Sequence, residues 1–241
     1  MTKNPTITLL VMALHELEGL QKIMPAIDRS RFNQVIIVDG DSRDGTVEWA
    51  IENNYEIFVQ QRKGLRSAYQ EVWPSIKSDY VVTFSPDGNC DPTKIDLLVN
   101  EIIDKQPDMV IGSRYLPGVS SEDDDYVTAF GNWLFNFTAR LLFGGKLTDV
   151  MVIYRGFRSD LPQELDLLSD KPYANFERFL FTRISWEPLM AARALHEKKY
   201  VTEVAAGEPP RLYGERKLQI IRWGLAYYLQ FLIEKFRKPT K

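Results

Sequence analysis

Four short segments of this 241-residue chain gather carboxylates, hydroxyls, an amide and a guanidinium. They are Met12-Ala13-Leu14-His15-Glu16, Asp39-Gly40-Asp41, Ser85-Pro86-Asp87-Gly88-Asn89 and Gly112-Ser113-Arg114. Such groups hold a ligand through hydrogen bonds and charge. Taken alone, a carboxylate in such a place is more often a helix cap or a turn former. Each segment, however, follows directly on a run of β-branched and other apolar residues, so each falls at the carboxyl end of an expected buried strand. Ligands of open α/β sheets bind beyond that edge, and four such ends together favour a ligand site.

The strands that must present these segments are expected at residues 6–12, 34–38, 80–84 and 109–112, with another at 55–59. Between them helical spacing appears at 16–27, where Leu17, Leu20, Ile23, Met24 and Ile27 share a face. Further helices are expected at 46–53, with Asp44 placed to cap it, at 64–76, and at 93–104 with Pro92 in the first turn. Strands alternating with helices imply a mainly parallel α/β sheet covered on both faces. After Arg114 the pattern changes to an acidic loop at 120–125, an aromatic-rich helix at 127–143 stopped by Gly144-Gly145, and a short segment at 150–154. A polar stretch, a helix at 187–197, a strand at 200–204 and a basic-ended helix at 217–236 complete the chain. The organisation expected is one domain over residues 1–215, then an amphipathic helix within 216–241 that packs on the domain, on a partner or on a membrane surface.

Composition excludes several classes. A net charge of −3 with interspersed signs argues against nucleic-acid binding. One cysteine, Cys90, rules out an intramolecular disulfide and points to a reducing compartment. His15 and His196 show no metal-ligand spacing. No apolar run is long enough to span a bilayer; the nearest approach, 220–233, is interrupted by Arg222 and Gln230. Without a recognisable signal peptide, the expectation is a cytoplasmic protein, soluble or at the inner face of the membrane.

The order of the segments resembles family 2 glycosyltransferases, which have the nucleotide-sugar-binding GT-A fold. VMALHELEGL resembles the family's first strand and Asn-Glu turn, with His15 in place of Asn and Glu16 retained. VIIVDGDSRDGT resembles its aspartate-rich second turn, QRKGLRSA its Lys-Gly segment, DYVVTFSPDGNCDP its metal-motif strand and DMVIGSRY the next strand. LTDVMVIYRGFR and GEPPRLYGERKL extend the similarity towards the polyprenyl-phosphate branch, which includes the dolichol-phosphate mannosyltransferases, so that it covers about residues 6–220.

The resemblance implies inverting transfer of a sugar from a nucleoside diphosphate to a polyprenyl-phosphate or envelope-glycan acceptor. Ala13, His15, Glu16, Asp39 and Asp41 would lie along the nucleotide, with Asp39 accepting hydrogen bonds from base or ribose and Glu16 on the ribose side. Ser85, Asp87, Arg114 and Arg211 would surround the diphosphate, whose oxygens suit planar guanidinium forks. Lys63 and Arg66 are either near the donor or solvated helix-start charges, and Lys217 either assists the arginines or is a surface lysine. The family's Asp-x-Asp metal motif begins here with Ser85, leaving Asp87 and Asn89 as candidate ligands for Mg2+ or Mn2+ and Asp91 as a turn or cap residue. A hydroxyl acceptor needs a base, for which Asp149 and Glu187 are the candidates; Pro188 makes helix capping the other role for Glu187.

Trp133, Phe135, Phe137, Leu141, Leu142 and Phe143 fit packing on the sheet, a homodimer contact or a lipid-facing surface, and the C-terminal helix poses the same choice. Two competing readings stand beside the transferase. A nucleotidyltransferase needs a Gly-x-Gly loop after the first strand, which Ala13-Leu14-His15-Glu16 lacks. A transferase-derived nucleotide-sugar-binding protein with little catalysis is kept open by Ser85.

Overall fold

The computed structural model describes residues 4–211, Tyr213 and residues 220–237. Its β-branched runs form β1 (Ile7–Ala13), β2 (Gln34–Asp39), β3 (Glu56–Val59), β4 (Tyr80–Phe84), β5 (Met109–Ser113) and β7 (Val201–Ala205), and a segment without β-branched residues forms β6 (Arg155–Arg158). These make a seven-stranded sheet in the order β3-β2-β1-β4-β6-β5-β7. All neighbours pair in parallel except β6, which runs antiparallel to both β4 and β5. Leu9, Leu10, Ile36, Ile37, Val81, Val82, Val110 and Ile111 are fully buried, which is why their runs read as uninterrupted apolar sequence.

The helices are α1 (Leu17–Ile23), α2 (Thr46–Glu52), α3 (Leu65–Val72), α4 (Ile95–Lys105), α5 (Tyr126–Phe143), α6 (Leu161–Glu164), α7 (Lys171–Leu180), α8 (Glu187–His196) and α9 (Ile220–Glu234). α1 and α3 stop earlier than their apolar spacing suggests. Pro25 and Pro74 cannot supply the next helical N–H, and each chain tightens into a 3₁₀ turn, Met24–Ala26 and Trp73–Ser75. Asp91 caps the turn Pro92–Lys94, accepting from the Thr93 N–H at 2.9 Å.

Two elements depart from the sequence pattern. The short segment at 150–154 is irregular, and the strand comes just after it, in Arg155-Gly156-Phe157-Arg158. Arg155 is nonetheless fully buried, because its guanidinium donates to the carbonyls of Val152 and Glu187, the latter at 2.9 Å. Gly156 gives close packing there, since a Cβ would stand 2.8 Å from Ile102 Cδ1 on α4 and 3.0 Å from Val110 Cγ1, and those side chains would have to shift. The polar stretch that follows holds α7, which packs on α9, joins the core through Tyr173 and Leu180, and binds the Arg66 guanidinium through Glu177.

α9 packs against α5, α7 and α8. Its Phe231 meets Phe135 edge-on at 5.7 Å, and its Glu234 binds the buried Arg193 of α8 at 2.7 Å. Among the described residues no helix is long and apolar enough to cross a membrane.

Candidate active site

The register of the parallel strands brings the predicted segments to one edge: Ala13 pairs with Asp39, and Val11 with Phe84. Asp39 is fully buried. Its Oδ2 accepts the N–H groups of Asp41 and Ser42, both at 2.9 Å, so the turn is folded around the carboxylate. Its Oδ1 is buried with no hydrogen-bond partner among the described residues. Asp41 takes φ 73° and His15 φ 54°, both left-handed. The His15 N–H donates to Ser42 Oγ at 2.8 Å, and His15 Nδ1 accepts from the Arg43 N–H. Asp44 clasps the starts of α1 and α2 by accepting from Leu17 N–H and from the Thr46 hydroxyl at 2.6 Å. Burial pushes its carboxyl up, but these hydrogen bonds outweigh burial and hold it below the usual range. His15, buried Glu16, Asp44 and Tyr213 line an open depression of about 600 Å3.

The second half of the site is the turn after β4. Gly19 lets α1 approach it, for a Cβ there would lie 2.1 Å from the Pro86 carbonyl oxygen. Buried Asp87 accepts the Asn89 N–H on Oδ1 at 3.1 Å and the Arg211 guanidinium on Oδ2 at 2.8 Å. Its carbonyl accepts the Tyr213 N–H, which ties this turn to the depression beside His15. Asn89 donates to Asp123 at 3.3 Å, while its Oδ1 is buried without a partner among the described residues. No group of three or more His, Cys, Asp or Glu side chains is arranged to hold a metal among the described residues.

A cavity of about 410 Å3 opens over this turn, and Ser85, Asp87, Asn89, Arg114, Glu187 and Arg211 are among its walls. Glu187 stands at the start of α8, but its carboxylate makes no cap hydrogen bond. Instead it accepts the Tyr69 hydroxyl at 2.9 Å and the Ser185 hydroxyl. Burial, and then the Glu187 charge, push the Tyr69 phenol well up, so Tyr69 stays a proton donor to the carboxylate.

Three charged groups expected at this site are already engaged within the protein. Asp149 is fully buried, with both oxygens held by Arg114, at 2.6 Å from Nε and 2.9 Å from Nη2, so it is not disposed to accept a proton from an acceptor. Arg114 is correspondingly not a free phosphate fork: its Nη1 also binds Glu208 at 3.0 Å. Arg66 likewise is not a solvated helix-start charge. It is buried, holds Glu177 through both terminal nitrogens, and lies 3.9 Å from the Tyr173 ring centroid, joining α3 to α7. Lys63 is exposed and borders a neighbouring opening of about 580 Å3, with Arg183, Phe181 and Trp223. Lys217 lies outside the described residues. Asp123 was visible only as part of the acidic run at 120–125 and Glu208 only within the segment GEPPRLYGERKL, while Tyr69 and Ser185 carried no signal of a part in the site.

With this geometry the chain is similar to glucosyl-3-phosphoglycerate synthase of Mycobacterium tuberculosis, crystallised with Mn2+, UDP and phosphoglyceric acid. The TM-score is 0.66 at 16% identity, covering 97% of this chain and 80% of that one. The fold is thus that of the GT-A nucleotide-sugar transferases. The chain belongs to glycosyl transferase family 2, whose profile matches residues 19–165, and it is a glycosyltransferase. It is also similar to an undecaprenyl-phosphate mannosyltransferase of Micrococcus luteus, 26% identical over 239 residues that cover 90% of this chain and 93% of the relative. A polyprenol monophosphomannose synthase of Mycolicibacterium smegmatis is 27% identical over 143 residues, 55% of this chain and 54% of the relative.

Proposed function

We propose that this glycosyltransferase moves a sugar, with inversion, from a nucleoside diphosphate to a polyprenyl-phosphate or envelope-glycan acceptor. The observation that carries the reading is the pairing of two buried, unsatisfied oxygens at one sheet edge, Asp39 Oδ1 and Asn89 Oδ1. Buried acceptors without donors are costly, and a bound ligand that supplies a donor or a cation relieves the cost. Asp39 Oδ1 would accept an N–H of the base or a hydroxyl of the ribose, with Glu16 beside it. Arg211 would serve the diphosphate. The names of the polyprenyl-phosphate relatives favour the acceptor class.

The chemistry of the donor set fits one Mg2+ or Mn2+: Asp87 would give its carboxylate and Asn89 its Oδ1, and diphosphate oxygens would complete the shell. Bound there, the metal would neutralise charge developing on the leaving diphosphate. Glu187 faces the same cavity and would take the proton of a hydroxyl acceptor, with Tyr69 and Ser185 fixing its orientation. A phosphate acceptor needs no such base, so Glu187→Gln separates the two acceptor classes. Donor binding is tested by thermal shift with UDP- and GDP-sugars, with and without Mn2+. Asp39→Ala is expected to weaken the nucleotide that binds by roughly tenfold or more, as loss of one buried hydrogen bond to a ligand does. Equal titration curves for both proteins would remove Asp39 from the nucleotide site.

The acceptor reading extends to a membrane surface. Tyr126, Phe130, Trp133, Phe137 and Leu141 recur at helical spacing on α5 and are all exposed, Trp133 at 54%. Phe130, Trp133 and Phe137 stack on one another at 5.8 and 5.6 Å. The exposed charges within α5 and just past its C-terminus, and on α9 and just past its end, are basic, Arg140, Lys146, Arg222 and Lys235, while the exposed Asp125 caps the opposite end of α5. The acidic Glu234 is buried against Arg193. This combination suits the surface of an anionic bilayer, at the inner face of the cell membrane. The protein should co-sediment with phosphatidylglycerol vesicles and not with neutral ones, and Trp133→Ser with Phe137→Ser should abolish the effect. A wild-type protein left in the supernatant with both vesicles would end the membrane reading.

A further inference from the structure

Arg211 sits on the carboxylate that the proposed function assigns to a metal. Its Nη2 lies 2.8 Å from Asp87 Oδ2, while the other carboxylate oxygen accepts the Asn89 N–H. A Mg2+ or Mn2+ bonds oxygen at about 2.0–2.2 Å and draws on several oxygens at once. While the guanidinium remains there, a metal on Oδ2 would have to share that oxygen with a full positive charge a few ångströms away. The charge balance gives the same answer. Ser85 leaves Asp87 without the second carboxylate of an Asp-x-Asp pair, so Asp87 and Arg211 together are neutral. A dication added to that pair would meet a fixed positive charge beside the carboxylate it needs, and Asp123, the other carboxylate bonded to this turn, is already engaged by the Asn89 amide and the Arg211 N–H.

The arginine is also poorly tied down on its other edge. Its Nε is buried with no partner among the described residues, and its backbone N–H reaches Asp123 at only 3.4 Å. Arg211 lies beyond β7, in the loop whose Glu208 meets Ser121, and it lines the same cavity as Asp87, Asn89 and Glu187. A diphosphate entering that cavity offers the fork a better partner than one carboxylate oxygen, because paired oxygens match its geometry and carry more charge. Once the guanidinium turns to the diphosphate, Asp87 Oδ2 is released beside the unpartnered Asn89 Oδ1.

We infer that Arg211 is an internal cation that closes the Asp87 site in the free protein and is exchanged for a divalent metal when a diphosphate binds. The inference rests on the donor and metal placement proposed above and adds an order to it: the metal binds weakly alone and well only with the nucleotide. Linkage makes the coupling reciprocal, so the nucleotide binds better with metal by the same factor.

The first measurement needs no nucleotide and no turnover. Mn2+ is titrated calorimetrically into the wild-type protein and into Arg211→Gln, Arg211→Lys and Asp87→Asn, each checked for a native circular dichroism spectrum. Arg211→Gln removes the competing charge and should tighten Mn2+ on the order of tenfold, the scale of one close charge pair at a partly buried site. Arg211→Lys keeps the charge and should stay near wild type, and Asp87→Asn should not bind. An Arg211→Gln protein no tighter than wild type overturns the inference, as does an Arg211→Lys protein that tightens equally. Mn2+ binding retained by Asp87→Asn overturns it too, and moves the metal away from this turn.

UDP and GDP are then titrated with and without Mn2+. In the wild type the metal should improve the nucleotide that binds at least tenfold, and Arg211→Gln should lose most of that gain. Undiminished coupling in Arg211→Gln counts against the exchange. Failure of both nucleotides to bind any form refutes the donor reading instead, and the metal-only comparison still decides whether Arg211 closes the site.

Discussion

Asp87→Ala is expected to lower transferase turnover by about 10²–10³-fold, the usual cost of losing one electrostatic group that acts on the leaving charge. The carboxylate is the one charged oxygen donor in the turn after β4, because Ser85 stands where a second would be. Its removal therefore takes the charged anchor of a metal site rather than half of one, leaving the neutral Asn89 Oδ1. It also frees Arg211 from its ion pair. The fold should tolerate the change, since Asp87 faces a cavity and its backbone hydrogen bond from Tyr213 is retained. The check is initial-rate kinetics across a Mn2+ series, with whichever donor binds in the thermal-shift screen. A turnover within threefold of wild type would place the diphosphate elsewhere.

Arg114→Ala should cost about 3–5 kcal/mol of stability, because it breaks a buried ion pair from one side. Asp149 has no exposure at all, and its two oxygens face the Arg114 guanidinium at 2.6 and 2.9 Å. Glu208 loses the same partner. The alanine leaves two carboxylates against an empty space of low polarity, where neither is well solvated. Adding Asp149→Asn should recover part of the loss, since the amide carries no charge to strand. Urea denaturation of the two single variants and the double variant gives the coupling directly. Additive losses would show that the pair does not act as a unit, and an unchanged Arg114→Ala midpoint would remove its structural role altogether.

The strands β1, β2, β4 and β5 were legible because a strand buried on both faces must be apolar throughout, and such runs stop abruptly where the chain turns to solvent. The turns at Asp39 and Asp87 were legible for the same reason, as polar clusters at the ends of those runs. β6 and α7 were not. Arg155 is buried by carbonyl oxygens contributed by Val152 and Glu187, so β6 lacks the apolar run that announces a strand, whereas α7 carries helical spacing in Tyr173 and Leu180 that the surrounding polar residues obscured. α9 reads as amphipathic in either environment, and its sequence alone does not say whether a protein or a lipid covers Phe231.

The sequence by itself determined the family, the parallel sheet and the edge at which a ligand site lies, because those depend on local pattern and on the order of motifs. Tertiary structure alone decided the state of each charged group. Arg114 and Asp149 are far apart along the chain, as are Asp87 and Arg211, yet each pair is in contact in the fold. The work a carboxylate or guanidinium can do depends on what already occupies its lone pairs and N–H groups, and those partners arrive from distant segments. Glu187, held by two hydroxyls and open to the cavity, thereby differs from Asp149, which Arg114 encloses. Their residue type is of no help in telling them apart.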